Sequence, residues 1–452
     1  MKKEPKTKRI KSTIIILLMI CLSSFPAFSA SPTLLECDIN GDGIINTLDL
    51  IEMSNHMGVK GTPGWIKEDV DNNGIIQVCD LMFVANNYGA TVNQNNIQRI
   101  QKFSIAYSDV MSDTGNQEYI ADHFDMLNCP STYTTGAANV KAINPNIKII
   151  GYYDSIMMGK TNPDWSTVNS HEDWFAHSLS GGRIERNVYP GQYLMNPNSG
   201  WSNYVAQRSK TFLTTYPQFD GVFLDDAAID LQGFDYTFKV SYSQFATGIL
   251  SNWKSWMLSY MSNVKNNLGS HIVMANCFTG TEIADKTKCM LWENFIHGRS
   301  AAYNENGYGT AGWNYGLLAV DALHEQAELG NIIAVNSGCE NANAHPVEAK
   351  QWMLFTYACF SFAVVDLNKA YYSWQFFNSD STNGYYPEME INLGQPIGDY
   401  YHVSGTAQVY ARQFANYYVA ANLNLLGTGS VTFTINGVSK TLAPRTAVFI
   451  EK

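Results

Sequence analysis

Eight strand-length apolar runs recur between residues 103 and 337, and each stops at polar side chains. They are FSIAY (103–107), FDMLNC (124–129), IKIIGYYD (147–154), QYLMNP (192–197), FDGVFLDD (219–226), HIVMANC (271–277), CMLWENF (289–295) and NIIAVNS (331–337). Runs that do not alternate apolar with polar residues, with helical stretches between them, predict parallel strands covered on both faces. Eight such strands in about 240 residues predict a (β/α)8 TIM-type barrel. The polar terminators are Ser108 and Asp109, Asn128, Asp154, Asn196, Asp225 and Asp226, Asn276, Glu293 and Asn336. Barrel chemistry is built at the C-terminal strand ends, so these residues are the candidates. A doubly wound sheet would also place ligands there. No Gly-rich phosphate loop follows any of the runs, which disfavours nucleotide chemistry.

Parity divides the two adjacent aspartates. Gly221, Phe223 and Asp225 share one strand face, and Val222, Leu224 and Asp226 the other. The glycine-bearing face suits a crowded barrel interior, which points Asp225 into the mouth. Asp226 is left to cap the following helix or to orient its neighbour. Glycosidic cleavage needs one protonated and one ionised carboxyl group. Glu293 is the only glutamate at a run's end, so Asp225 and Glu293 are the predicted catalytic pair, with Asp154 as a supporting carboxylate. Tyr107, Tyr152, Tyr153, Trp292, Trp313 and Trp374 offer flat faces to sugar rings. Asn196, Asn276, His297 and Asn336 are further candidates for substrate contact. No H-x-x-x-H, C-x-x-C or G-x-S-x-G occurs, so a metal- or serine-dependent esterase or deacetylase lacks its signature.

Beyond the runs, HPVEAKQWMLFTYACFSFAVV (345–365) has the length of a buried helix. From about residue 394 the pattern becomes short alternating strands around Asn-Gly and Gly-rich turns, predicting a small antiparallel β domain over 394–452. The barrel is then expected over 101–393, after a polar linker at 91–100.

Ahead of it lies an internal repeat. DINGDGIINTLD from Asp38 and DVDNNGIIQVCD from Asp69 start 31 residues apart, and both fit D-x-[DN]-x-[DN]-G with a carboxylate at position 12. Alternate oxygen donors converging around a sharp glycine turn suit Ca²⁺. The first loop's ligands would be Asp38, Asn40, Asp42, the Ile44 carbonyl, Asn46 and Asp49. The second's would be Asp69, Asp71, Asn73, the Ile75 carbonyl, Gln77 and Asp80. Two structural Ca²⁺ ions are expected, and no cofactor for catalysis.

The opening MKKEPKTKRIK, the apolar run Ile14 to Leu22 and Ala27-Phe28-Ser29 read as a signal peptide over 1–29, placing the mature chain outside the cytoplasm. Its loss takes the formal charge from −11 to about −16, which argues against nucleic acid or anionic lipid as partner. Seven cysteines follow (37, 79, 129, 277, 289, 339, 359), allowing at most three disulfides, with Cys37–Cys79 a candidate.

Two resemblances add to this reading. The tandem loops over 34–90, each ending in Asp and leading into one helix, resemble the type I dockerin, which implies a cohesin-bearing scaffold as partner. They depart from it in standing at the N-terminal side and in carrying Thr47-Leu48 and Val78-Cys79 where Ser-Thr is common. IKIIGYYD, MNPNSGW, FDGVFLDD, LWENF and VYARQFANYYVAANLN resemble the hypothetical glycosyl hydrolases, which are similar to the endo-α-1,4-polygalactosaminidases. That resemblance implies polysaccharide hydrolysis with Asp225 and a later-strand glutamate, matched by Glu293. Tyr417 stands where the family commonly has Gly after the Asn. The function expected is a secreted glycoside hydrolase held on a scaffold by its dockerin. The alternative is a non-catalytic glycan-binding or structural surface protein built on a degenerate barrel.

Overall fold

The structure, a computed structural model, describes the chain outside residues 1–33, 40–44, 62–65, 72, 91–97, 233–236, 278–279, 299–315, 340–341 and 378–383. The expected signal peptide, the ligands Asn40, Asp42 and Ile44, and Trp313 lie outside the described residues. No described helix is long and apolar enough to cross a membrane. The chain divides into two compact units, Met1–Val92 and Asn93–Lys452.

The first unit packs the helices Leu34–Cys37, Thr47–Asn55 and Val78–Asn86 around Cys37, Ile39, Ile45, Met53, Val70, Ile76 and Val84. The repeat is visible in how its two main helices begin. Asp49 accepts the Asn46 N–H at 2.7 Å, and Asp80 accepts the Gln77 N–H at 2.9 Å. Each position-12 carboxylate thus also satisfies a backbone donor at its helix start. The Cys37–Cys79 disulfide does not form. The Cys37 thiol is buried, donates to the Phe83 carbonyl and accepts from the Asn87 amide, and none of the seven described cysteines is in a disulfide.

In the second unit the barrel closes. Its strands are β1 (Gln101–Ile105), β2 (Met126–Pro130), β3 (Lys148–Asp154), β6 (Gly221–Asp225), β7 (Ile272–Asn276), β8 (Cys289–Glu293), β9 (Ile332–Ser337) and β10 (Ala370–Trp374), in the order β1-β10-β9-β8-β7-β6-β3-β2, with every pair parallel. The (β/α)8 expectation is met with one exchange of strand. QYLMNP is not a barrel strand: β5 (Gln192–Leu194) pairs antiparallel with β4 (Met157–Gly159) in an excursion between β3 and β6. The eighth strand is instead AYYSW (370–374), reached through the buried helix Pro346–Ala363.

Two cores follow from strand parity. Phe103, Ile105, Met126, Ile150, Phe223, Met274, Cys289, Leu291, Ala334 and Tyr371 form a cluster that fills the barrel. Their neighbours at odd offsets, Val222, Leu224, Met290 and Trp292 among them, join the larger cluster under the helices. At the start of β6 a side chain is impossible: a Cβ on Gly221 would sit 2.1 Å from the Ile272 carbonyl oxygen. Gly221→Ala must therefore push β6 and β7 apart, at a cost of at least ~2 kcal/mol. Urea unfolding checks this, and an unchanged midpoint would contradict it.

The N-terminal end of β1 carries buried charge. Arg99 pairs with Asp125 at 2.7 Å and with Glu390 at 2.8 Å, and Lys102 also pairs with Glu390. Burial works against the charged Asp125, yet Arg99 overrides it and holds that carboxyl at about 2. This end of a barrel serves stability rather than chemistry.

The closing segment forms the expected antiparallel domain. A four-stranded sheet runs in the order β11 (Pro396–His402), β12 (Val409–Phe414), β13 (Tyr417–Asn422), β16 (Ala447–Glu451). Beside it, β14 (Val431–Ile435) and β15 (Val438–Leu442) make a hairpin. Its two-residue turn is Asn436-Gly437, both at positive φ, as a primed hairpin turn requires.

Candidate active site

The inward parity of Phe223 in β6 and of Leu291 in β8 extends to the strand ends, so Asp225 and Glu293 point into the mouth. Asn276, at the end of the intervening β7, has the same parity as Met274 and lies between them. Its side-chain nitrogen donates to Asp225 Oδ1 at 2.9 Å and to Glu293 Oε2 at 2.8 Å. One amide thus spends both of its N–H groups on the two carboxylates. Asp225 Oδ1 also accepts the Asp226 N–H at 2.9 Å, and Oδ2 accepts the Tyr152 hydroxyl at 2.7 Å. An aspartate that receives three donors is held in orientation as an acceptor. Tyr152 is 38% exposed and stacks on Phe223 with centroids 5.8 Å apart. Burial of its hydroxyl, then the adjacent Asp225 carboxylate, pushes its pKa well up, so it stays a donor.

Backbone conformation aims these groups. Asp226, Asn294 and Gln375 have φ of 52°, 58° and 64°, and each directly follows the end of β6, β8 or β10. Non-glycine residues seldom adopt this left-handed conformation, which turns the chain sharply and, at Asp226 and Asn294, follows directly on a carboxylate at the rim. Asp and Asn tolerate it best, which accounts for the second aspartate of FDGVFLDD. Among the described residues Asp226 caps no helix, and the next long helix begins at Ile249. Its carboxylate pairs with Arg186 at 3.0 Å, both side chains being mostly buried, while its N–H holds Asp225.

Asp154 lies opposite Asp225 in the β3–β6 register. Its Oδ1 accepts the Ile156 and Met157 N–H groups at 3.1 and 2.7 Å. Burial first, then the carboxylates of Asp226 and Asp225, raise its pKa well above the ordinary aspartate range. A raised folded pKa gives stability that is present at acid pH and is lost as pH rises through that pKa. Asp154→Asn keeps the accepting oxygen and removes the penalty. Its melting temperature at pH 7 to 8 should equal or exceed wild type, with a shallower decline from pH 5 upward in differential scanning fluorimetry. A parallel, lower curve would contradict this.

Among the remaining candidates, Tyr107 is 40% exposed beyond β1, with its ring 5.5 Å from Phe376. Several others are placed away from the mouth. Tyr153, Trp292 and Trp374 have the outward parity and are buried under the helices. Asn336 points inward but is fully buried, donating to Ser373 and to the Gln375 carbonyl. His297 is buried against Trp352, contacts the Gly338 carbonyl through Nδ1, and is pushed down to about 4 by burial. Asn196 sits just after β5 in the excursion and turns its side chain back on the Asn198 N–H. Sequence reasoning missed Arg186, which comes from that excursion and also bonds Gln192. No motif marks it, because its partner Asp226 is 40 residues away.

In the first unit, Asp69, Asp71 and Asp80 offer carboxylate oxygens all within 4.8 Å of one another. Asp69 accepts the Gly74 N–H, and Gly74 has φ of 82°, the sharp turn expected at position six. Burial, then Asp80, pushes Asp71 up to about 6. The Asn73 amide turns its nitrogen to Asp71 at 2.7 Å and its oxygen to the Ile75 N–H. Three converging carboxylates around a tight loop are a hard-oxygen set that fits Ca²⁺. In the other loop Asp38 and Asp49 are buried, with Asn46 at the helix start.

The profile of hypothetical glycosyl hydrolase family 15 matches residues 141–417, more than half of the chain and the whole stretch from β3 to β12. The chain belongs to this family. Comparison with curated proteins gives no match. The barrel of this family member is similar to solved structures at low identity. The glycoside hydrolase domain of PelA from Pseudomonas aeruginosa is 11% identical, with a TM-score of 0.40 over 61% of this chain and 94% of that one. Aspergillus fumigatus Ega3 in complex with galactosamine is 12% identical, with a TM-score of 0.38 over 64% and 95%. The noncanonic maltogenic α-amylase AmyB from Thermotoga neapolitana is 11% identical, with a TM-score of 0.45 over 79% and 97%.

Proposed function

We propose that this family member hydrolyses a polysaccharide by a two-step, retaining mechanism, with Asp225 as nucleophile and Glu293 as acid and base. The observation that carries the reading is the shared Asn276 amide. Two oxygens bonded to one nitrogen at 2.9 and 2.8 Å lie under about 6 Å apart, nearer the ~5–5.5 Å of a retaining pair than the ~6.5–9.5 Å of an inverting one. Among the described residues, Asp225 Oδ1 receives two donors and Oδ2 only the Tyr152 hydroxyl. Oδ2 therefore keeps a lone pair to attack the anomeric carbon. Glu293 protonates the departing glycosidic oxygen as Asp225 forms the glycosyl ester. It then takes a proton from the water that attacks the same carbon and releases Asp225. The test is reducing-end release from a polysaccharide panel. Cleavage of at least one glycan supports the reading; binding without cleavage of any would favour the non-catalytic alternative.

The same reading makes the chain a secreted protein whose first unit, folded around two Ca²⁺ ions, docks onto a cohesin-bearing scaffold. It rests on the paired loops and on the Asp69, Asp71 and Asp80 convergence. In calorimetry, Ca²⁺ should raise the melting of this unit by several degrees and EGTA should reverse it. A thermogram unchanged by either would remove the calcium reading.

A further inference from the structure

A second group of donors lies far from the mouth, where the helix Leu317–Glu328 meets β11. His324 and Glu328, one turn apart on that helix, face Asp399 of β11, and their ligand atoms lie within 4.8 Å of one another. His324 Nδ1 is 3.2 Å from the Ala363 carbonyl. A carbonyl oxygen only accepts, so Nδ1 carries the proton, and in the neutral ring Nε2 presents its lone pair to the two carboxylates. Nε2 lies 3.7 Å from Glu328 Oε1 and 3.5 Å from Asp399 Oδ1. Those distances are too long for direct hydrogen bonds. They are close to the edge of a tetrahedron with ~2.0–2.1 Å metal–ligand bonds, roughly 3.3 Å. The Ala363 carbonyl that bonds Nδ1 is the kind of outer-sphere partner that fixes a metal-binding imidazole in orientation and tautomer. The charge of Arg412 reaches Asp399 only through space. The N–H groups of Arg412 go to the Gly398, Ser361 and Phe362 carbonyls.

We infer that His324, Glu328 and Asp399 bind a divalent transition-metal ion of the Zn²⁺ class, clamping the C-terminal sheet to the barrel. An imidazole with two carboxylates suits such an ion better than Ca²⁺ or Mg²⁺, and leaves a fourth position for water. The clamp joins elements already in contact, since the Tyr400 hydroxyl bonds Asp321 on the same helix. The inference is independent of the proposed catalysis.

The experiment titrates the full-length chain with Co²⁺ in excess Ca²⁺, which keeps the first unit's loops saturated. Wild type should show one equivalent bound with the visible d–d bands of a tetrahedral site, displaced by Zn²⁺. Zn²⁺ should also raise the melting temperature. His324→Ala should abolish the bands, and Asp399→Asn should weaken binding at least tenfold. Asp399 is 78% exposed on its side chain, so this second variant tests ligation without disturbing the core. Absence of a one-equivalent site in wild type, or binding as tight as wild type by both variants, would overturn the assignment.

Discussion

Asp225→Asn and Glu293→Gln should each lower polysaccharide cleavage by at least ~10³-fold while leaving the melting temperature within a few degrees of wild type. General acid and base action alone contributes ~10²–10⁴-fold, and loss of a nucleophile removes the covalent route altogether. Both substitutions keep the size of the side chain, and both positions lie at strand ends on the rim, so folding is little affected. The two variants should then separate by leaving group. An aryl glycoside of the same sugar departs without a proton, so Glu293→Gln should form its ester at near wild-type rate. Asp225→Asn should remain inactive on both substrates. Reversal of that pattern would exchange the two roles; wild-type rates in both folded variants would remove the site assignment.

Asn276→Ala is the second large effect expected. It removes the donor shared by Asp225 and Glu293 and leaves each carboxylate one bond short. Hydrogen bonds to charged groups contribute ~1.5–3 kcal/mol each, so activity should fall by roughly 10²-fold or more. The bell-shaped pH profile should change as well, because the two groups lose the contact that holds them at one distance. Steady-state rates across pH check both expectations. An unchanged profile with an unchanged kcat would show that the amide is structural only.

Much of this arrangement was legible in the residues. Non-alternating apolar runs predicted the barrel, their polar ends marked the rim where Asp225, Asn276 and Glu293 meet, and period-two parity separated Asp225 from Asp226. The same parity argument, applied to every strand, also places Tyr153, Trp292 and Trp374 under the helices; aromatic identity had suggested sugar contact for all three. QYLMNP read as a barrel strand because its composition matches one. A strand's partner is set by chain path, and this one pairs in a short hairpin. AYYSW carries a serine and two tyrosines, so its composition does not mark it as an apolar run, although all five residues are buried. The link from Arg186 to Asp226 and the bridging role of Asn276 depend on contacts 40 and 17 to 51 residues apart. Local pattern carries no trace of such distances. Positive φ at Asn294 and Gln375 is equally silent in the sequence, since neither is glycine.

The most direct test of the central claim is intact and peptide mass spectrometry of Glu293→Gln after brief exposure to an aryl glycoside that the wild type turns over. Fast ester formation and slow hydrolysis should leave one sugar on the protein, confined to the peptide that contains Asp225. A glycosylated peptide elsewhere in the chain, or turnover that inverts the anomeric configuration with no adduct, would contradict a retaining hydrolase built on Asp225 and Glu293.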